Sequence, residues 1–363
     1  MIQLSKINDT IKLMVKLNKR QSEILEFIRK NPNSNNLTIH NYIIMNYEDT
    51  SRITIVRDLN LLLKEKLIVK HGKGRNIVYQ EVLENKLLAF LNVEDYFKEG
   101  PDERDVTYKN FNFDIFNNLE NIFKKKEVEE LDELNKKYQK NIKKMSKAVL
   151  KKEFERLTIE LSWKSSKIEG NTYSLIDTEV LIKENQEAEG HKKEEAIMIL
   201  NHKKTLDYIS GNLERFKKLD IRDIEDVHRL IAKDLNIAIG IRKRIVGITG
   251  TSYKPLDNQH QIREALEKTV KELNKTTNAF SKALLVILLL SYIQPFQDGN
   301  KRTARLMVNA VLLANNVCPL SFRSINEADY KKAVILFYEQ NNAGFFKKLF
   351  VEQFKFAVKN YFL

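Results

Sequence analysis

Residues 293–305 read IQPFQDGNKRTAR, and this stretch of the sequence says most about the fold. An apolar run at 283–292 stops before Pro295, and a polar turn follows it. A new helix is predicted to begin at about Asn300. A turn that contains glycine and opens a helix offers free backbone N–H groups and the positive end of the helix dipole. The stretch therefore predicts an anion site between two helices.

Charged side chains accompany this turn. Arg302 and Arg305 are three residues apart, so they lie on one face of the predicted helix. Two guanidinium groups beside free N–H groups suit a polyphosphate, and Asp298 is placed to hold a Mg²⁺ ion that bridges phosphates. The alternative is a surface loop with a capping aspartate and solvated arginines, and the coincidence of all these features makes it the weaker interpretation.

The stretch resembles the signature of the Fic family, His-x-Phe-x-[Asp/Glu]-Gly-Asn-[Gly/Lys]-Arg-x-x-Arg, and matches every specified position except the first. The resemblance implies a protein adenylyltransferase, which transfers AMP from ATP to a protein hydroxyl, with Mg²⁺ on Asp298. It implies that the nucleotide is bound by Gly299, Asn300, Lys301, Arg302 and Arg305, and by Tyr330, Tyr338 and Asn341 near the adenine.

Gln294 occupies the first position of the signature, where the family has a catalytic histidine that deprotonates the target hydroxyl. A carboxamide has no titratable proton near neutral pH and cannot be a general base. General-base help is worth roughly 10² to 10⁴ in rate, so we expect phosphate binding to survive and AMP transfer to be weak or absent. His260 is the one substitute base considered, and His202 and His228 are predicted to be structural.

Residues 165–171, SSKIEGN, resemble the inhibitory motif of the family, [Ser/Thr]-x-x-x-Glu-[Gly/Asn], which would assign inhibitory roles to Ser165, Glu169 and Gly170. A glutamate paired with Arg305 would occupy the place that the γ-phosphate of ATP needs. On its own, such a pattern is equally typical of a helix end with a glycine cap.

Residues 242–255 combine β-branched residues with glycines. They resemble the β-hairpin flap with which the family binds a target segment by strand addition. The predicted flap residues are Gly247, Ile248, Thr249, Gly250, Thr251, Ser252 and Tyr253.

The N-terminal part predicts three helices, near 21–29, 37–47 and, after a Ser51 cap, from 52 onward. A hairpin around residues 72–75 follows. This order resembles a winged helix-turn-helix, which implies that duplex DNA meets the third helix and the wing. The implied contact residues are Ser51, Arg52, Thr54, Arg57, Lys73 and Arg75. The alternative is the same fold used only for protein contacts.

Composition and spacing set the wider frame. We predict a mainly α protein with a winged helix at 1–85, a helical connector at 86–155 and an all-helical Fic core with a small β-hairpin flap at 156–363. A single cysteine excludes a disulfide framework within the chain, and no signal peptide or membrane span is recognised, so we expect a cytoplasmic protein.

The formal net charge of +13 suits a polyanionic partner, or equally well reflects solvated lysine-rich helices. Three functions stay open: a self-inhibited transferase acting on a protein hydroxyl, its own included; a nucleotide-sensing DNA-binding regulator; and a family reaction that removes AMP. A homodimer also stays open.

Overall fold

The structure, a computed structural model, describes residues 17–47, 50–65, 67–82, 85–89, 91 and 93–363. Residues 1–16, on which the signal-peptide prediction mainly rests, lie outside the described part. The chain divides into an N-terminal unit, 1–84 with 89–92, and a second unit, 85–88 with 93–363. The described residues are mainly helical, as predicted.

The N-terminal unit contains three helices and a small antiparallel sheet with the strand order β1-β3-β2. Its elements are α1 (Lys19–Lys30), β1 (Ser34–Asn35), α2 (Asn36–Ile44), α3 (Arg52–Lys64), β2 (Ile68–His71) and β3 (Val78–Glu81). The predicted order of three helices and a hairpin is therefore present. Ser51 caps α3, as predicted, and Asn35 caps α2.

Apolar side chains from the three helices form the core of this unit, among them Ile28, Ile43 and Leu59, which are at most 1% exposed. The hairpin turns at Gly72, whose φ is +86°. A Cβ atom there would lie 2.2 Å from the carbonyl oxygen of Asn76, so only glycine fits this turn.

The second unit contains eleven α-helices among its described residues. They are α4 (Val93–Tyr96), α5 (Lys125–Lys144), α6 (Lys147–Ile168), α7 (Leu175–Glu184), α8 (Lys193–Gly211), α9 (Ile221–Ala232), α10 (Gln259–Lys275), α11 (Ala279–Ile293), α12 (Asn300–Ala314), α13 (Glu327–Gln340) and α14 (Gly344–Asn360).

Helix α11 lies at the centre of this unit. It is apolar on all sides and buried along nearly its whole length, as a helix without a polar face must be. Helix α12 packs along α11, and α8 and α9 pack against α12. The turn between α11 and α12 is thereby held between buried elements.

The predicted helical connector, 86–155, contributes side chains to the core of the second unit. Leu131 and Tyr138 of α5 belong to the same hydrophobic core as α11 and α12, because the apolar face of α5 is buried against that core. Within the described residues, no helix is both long and apolar enough to cross a bilayer.

Candidate functional site

Residues 294–299 form the turn between α11 and α12, and side chains fix it from within. Gln294 ends α11 in the left-handed conformation, with φ +51°. The Asn300 Nδ2 group donates to the Phe296 carbonyl, and the Phe296 N–H donates to Asn300 Oδ1, both at 2.8 Å. The Asn300 amide therefore fixes the turn, and only its backbone N–H is left for an anion.

His228 of α9 supports the turn from outside. Its ring stacks on Phe296 with centroids 3.7 Å apart. Its Nε2 lies 3.0 Å from the Asp298 carbonyl, so Nε2 carries the proton and donates it to this bond. Burial, helped by the charge of Arg302, lowers the pKa of His228 to about 4. The imidazole is therefore neutral at physiological pH.

The first turn of α12 is built to receive an anion. Its cap, Gly299, has no side chain to bond the free N–H groups of the first turn. Arg302 is 3% exposed, and its Nη2 donates to Asp298 Oδ2 at 2.9 Å. Its Nη1 is buried and bonds none of the described residues. A buried cationic donor without a partner is costly, and an anion would satisfy it.

A cavity of about 590 Å³ adjoins this turn. Three elements surround it besides the turn itself: the end of α6, residues 246–250, and one face of α13. The side chains that line it include Glu169, Val246, Gln294, Lys301, Arg302, Tyr330, Val334 and Tyr338. The cavity thus has cationic side chains at the α12 end, the Glu169 carboxylate at the α6 end, and several apolar and aromatic side chains on α13.

Glu169, at the C-terminal end of α6, reaches Arg305, as the sequence predicted. Its Oε1 accepts from Arg305 Nη2 at 2.8 Å. Burial alone would raise the pKa of Glu169, but the charges of Arg305 and Lys301 outweigh it, and the pKa lies below its ordinary value. The carboxylate is charged at neutral pH and stands between Arg305 and the cavity, which Glu169 lines and Arg305 does not.

A chain of hydrogen bonds holds Arg305 from behind. Its Nε donates to Ser165 Oγ and its Nη2 to the Ser165 carbonyl, both at 2.8 Å. The Ser165 hydroxyl lies 2.7 Å from His202 Nε2, and His202 Nδ1 donates to the Met198 carbonyl. Burial lowers the pKa of His202 to about 3, so Nε2 stays unprotonated and accepts the Ser165 proton. Arg305 is fully committed in this arrangement.

Gln294 lies in the cavity wall at 7% exposure. Its Nε2 donates to the Ser291 carbonyl at 2.7 Å and to the Tyr338 hydroxyl at 3.2 Å. Burial raises the pKa of Tyr338 well above its ordinary value, so this phenol is neutral and is no base either. His260 is exposed at the start of α10 and does not line the cavity, so it is not a substitute base.

Residues 218–312 match the Fic/DOC family. The matched segment runs from just before α9 to near the end of α12 and includes the whole turn. The chain contains a Fic domain. Relatives include the protein adenylyltransferase Fic of Nematostella vectensis, 28% identical over 175 residues, which are 46% of this chain and 40% of the relative. The protein adenylyltransferase fic-1 of Caenorhabditis elegans is 23% identical over 45% of this chain and 33% of its own.

Solved structures show the same fold around the Fic domain. A Fic domain-containing signaling protein from Bacteroides thetaiotaomicron superposes with a TM-score of 0.54 at 20% identity, covering 63% of this chain and 94% of that one. Fic-1 of Caenorhabditis elegans, residues 134–508, gives a TM-score of 0.52 at 20% identity over 64% and 69%. The chain spans less than half the length of the two adenylyltransferase relatives it matches.

The predicted flap, residues 247–253, is not a β-hairpin. Residues 247–253 contain no strand, and only a turn at 249–250 matches the prediction. The backbone of this segment bonds elsewhere: the Gly250 carbonyl accepts from Arg104, and the Lys254 N–H donates to the Lys109 carbonyl. These bonds replace the ladder that the β-branched residues predicted.

The residues predicted near the adenine fall into two groups. Tyr330 and Tyr338 line the cavity, and Tyr330 also bonds Arg305 through its hydroxyl at 3.2 Å. Asn341 does not line it. Its side chain donates to the Phe337 carbonyl at the end of α13 and accepts from Asn112, and its contact with the adenine stays a prediction.

Asp298 is the one residue predicted to hold a metal ion. Its carboxylate is largely exposed at the rim of the cavity and pairs with Arg302. The described residues contain no cluster of three or more His, Cys, Asp or Glu side chains arranged for a metal. A single carboxylate fits Mg²⁺ only in company with phosphate oxygens and water, which is how Mg²⁺ is commonly bound beside nucleotides.

The predicted DNA contacts lie in the N-terminal unit. Arg52, Arg57 and Lys73 are exposed, and neither arginine forms an ion pair with any residue that the structure describes. Ser51 and Thr54 are occupied by the cap of α3, where the two hydroxyls lie 3.0 Å apart. The side chain of Arg75 lies outside the described part of the chain.

Sequence reasoning missed the contributions of His228 and His202 to the site. His228 falls on the buried face of the strongly amphipathic α9, beside Val227 and Ile231. A histidine among apolar neighbours on one helix face was the available signal. Its partner loop is 70 residues away along the chain, so the sequence could not pair the two.

Proposed function

We propose that this chain is a Fic-type protein of the adenylyltransferase family that binds ATP in the cavity beside α12. In this proposal Glu169 inhibits the site, and Gln294 makes AMP transfer slow or absent. The observation that carries the proposal is the Glu169–Arg305 pair at 2.8 Å beside an Arg302 whose Nη1 has no partner among the described residues. Arg305 is thus blocked by Glu169, whereas Arg302 is open to an anion.

The phosphate chain of ATP would lie on the free N–H groups at the start of α12 and beside Arg302. Its terminal phosphate would need Arg305, which already holds the Glu169 carboxylate. Both are anions that require the same guanidinium group, so they compete. Nucleotide binding is therefore weakened, or displaced from the productive position, until Glu169 moves away.

Asp298 would hold Mg²⁺ together with the phosphates. The ion would neutralise phosphate charge and orient the phosphate groups. Asp298 would then exchange its bond to Arg302 for the ion. This frees Nη2 of Arg302 for a phosphate oxygen as well.

AMP transfer forms a bond from the target hydroxyl oxygen to the α-phosphorus and breaks the bond to pyrophosphate. The hydroxyl proton must go to an acceptor. The Gln294 carboxamide can accept a hydrogen bond through Oε1 and so orient the hydroxyl, but it cannot take the proton. Its Nε2 is already committed to Ser291 and Tyr338. Positioning and charge stabilisation remain, without a base.

The nucleotide proposal is tested by calorimetry with MgATP on the unaltered chain and on Glu169→Gly. We expect binding to be roughly tenfold tighter in the variant, about 1.4 kcal/mol, because Arg305 is released. Glu179→Gly is the control, since Glu179 pairs with Lys183 on the exposed face of α7. A folded Glu169→Gly variant that binds no MgATP would exclude the nucleotide function.

We propose duplex-DNA binding by the N-terminal unit as a second function. Its support is the pair of exposed arginines on α3, Arg52 and Arg57, which no described acidic side chain neutralises. Exposed apolar residues, such as Met45 just after α2 and Ile53 on α3, favour the alternative of a protein-binding surface.

A salt titration of DNA binding by the full chain separates these two functions. Arg52→Ala combined with Arg57→Ala should weaken binding and lower the slope of log K against log salt by roughly 1 for each phosphate that the variant no longer neutralises. Arg29→Ala is the control, because Arg29 already pairs with Glu81. If the unaltered chain binds no duplex at low salt, the unit is a protein-binding module.

A further inference from the structure

Glu339 on α13 is a fully buried carboxylate with an unusually complete set of partners. It is 0% exposed, and it accepts four hydrogen bonds. Arg104 donates two of them, from Nη2 to Oε1 at 2.9 Å and from Nε to Oε2 at 3.0 Å. The Tyr96 hydroxyl donates a third at 2.8 Å, and the Thr251 hydroxyl a fourth at 2.6 Å.

Arg104 extends this cluster to the backbone beside the cavity. Its Nη2 also donates to the Gly250 carbonyl at 2.6 Å. The cluster of Tyr96, Arg104, Thr251 and Glu339, here called the clamp, thus bonds residues 250 and 251 through a buried ion pair. A buried pair is costly to form and weak evidence for stability alone, so its retention calls for a positional reason.

Two observations give that reason. Residues 247–250 line the cavity and have no strand partner, so few other bonds fix them. Gly250 turns the chain with φ +84°, between Thr249, which lines the cavity, and Thr251, which bonds Glu339. Glu339 itself follows Tyr338, which lines the same cavity from α13.

We propose that Arg104 and Glu339 are positioning residues that hold segment 247–251 against the cavity through Gly250 and Thr251. The clamp would set the width of the cavity on this side, and with it the fit of the nucleotide. This inference rests on the proposed nucleotide function for its consequence, but not for its geometry. It also gives a role to Tyr96 and Arg104, which precede the segment 218–312 that matches the Fic family.

Hydrogen exchange of the full chain, without nucleotide, tests the geometry. Thr251→Val keeps the shape of the side chain but removes its bond to Glu339, together with the acceptor of the Tyr253 N–H. We expect the amides of residues 247–252, which exclude Tyr253, to exchange at least ~5-fold faster, since a hydrogen bond to a charged group is absent. Thr251→Ser should restore the rate, and Thr249→Val, two residues away and without a bond to Glu339, should leave it unchanged.

Arg104→Lys tests the clamp without touching Thr251, whose hydroxyl also accepts from the Tyr253 N–H. A lysine cannot reproduce the two-pronged contact to Glu339 together with the bond to Gly250. The same amides should exchange faster, while those of α12 stay protected. If this variant does not fold, Thr251→Val decides alone. Unchanged exchange in Thr251→Val, or an equal change in Thr249→Val, would overturn the clamp.

The affinity for MgATP tests what the clamp contributes to nucleotide binding. Thr251→Val should bind about threefold more weakly than the unaltered chain, and Thr251→Ser should bind as the unaltered chain does. If no form binds MgATP, the proposed nucleotide function fails while the exchange data still judge the clamp. If MgATP binds and exchange at 247–252 is unchanged in Thr251→Val, the clamp fails and the nucleotide function stands.

Discussion

Arg302 and Arg305 lie one turn apart on the same helix, yet their surroundings are opposite. Arg302 lines the cavity, pairs with one largely exposed carboxylate and leaves Nη1 without a partner among the described residues. Arg305 is 0% exposed and donates hydrogen bonds to Ser165, Glu169 and Tyr330. Arg302 can therefore bind an anion, whereas Arg305 already binds the Glu169 carboxylate.

In the proposed function, this difference separates nucleotide binding from inhibition within a single site. The open side depends on the turn, which Asn300 and His228 fix from within and from outside. The closed side depends on α6, which brings Glu169 and Ser165 to Arg305. A substitution on one side should therefore change affinity in one direction, and a substitution on the other side in the opposite direction.

The largest effect is expected from Arg302→Ala, which removes the open side. In the Glu169→Gly background, where baseline affinity is highest, MgATP binding should fall by roughly 10- to 100-fold, since a charge-assisted hydrogen bond contributes ~1.5–3 kcal/mol. Calorimetry measures the change. Arg229→Ala is the matched control, because Arg229 pairs with Asp226 on an exposed face. Equal affinity in Arg302→Ala would mean that the open arginine is not a phosphate ligand.

A smaller effect tests what holds the open side in place. The folded pKa of His228 is about 4, below the ordinary value of 6.5. The unfolded chain therefore binds the proton first, and stability from the neutral ring is complete above pH 6.5 and is lost as pH falls toward 4. His228→Phe keeps the stack on Phe296 but does not titrate. Between pH 6.5 and 5, the free energy of unfolding of this variant should therefore fall by about 1 to 2 kcal/mol less than that of the unaltered chain.

Urea unfolding at pH 8, 6.5 and 5 measures this difference, with the pH 8 values as the baseline for each protein. A variant that loses stability with pH as steeply as the unaltered chain would show that His228 is not held neutral by the turn.

The turn and the inhibitory pair could be predicted from sequence because short segments specify them. Pro295 and Gly299 mark the turn, and Asn300 and the arginines follow within six residues. The contact from Glu169 to Arg305 spans 136 residues, and it was predictable only because each end carries a recognisable motif.

The conformation of residues 247–253 could not be predicted from their own sequence because residues distant along the chain fix it. The β-branched residues favour a strand, but Arg104, 146 residues earlier, takes the Gly250 carbonyl, and Glu339 takes the Thr251 hydroxyl. Asn341 lies outside the cavity lining for a related reason, since this asparagine in the left-handed position at a helix end has its side chain engaged locally. Neither Arg104 nor Glu339 lies in a sequence motif that marks it as a partner of residues 250 and 251.

We propose that the site is intact for nucleotide but blocked by Glu169 and without a base at Gln294. Intact mass spectrometry after incubation with MgATP tests it on four proteins: the unaltered chain, Glu169→Gly, Gln294→His and the double variant. Self-modification appears as an AMP-sized mass increase. We predict a clear increase in the double variant, roughly 10² to 10⁴ times faster than in Glu169→Gly alone, and little or none in the unaltered chain. A double variant that stays unmodified, or an unaltered chain that modifies itself as fast as the double variant, would contradict the claim.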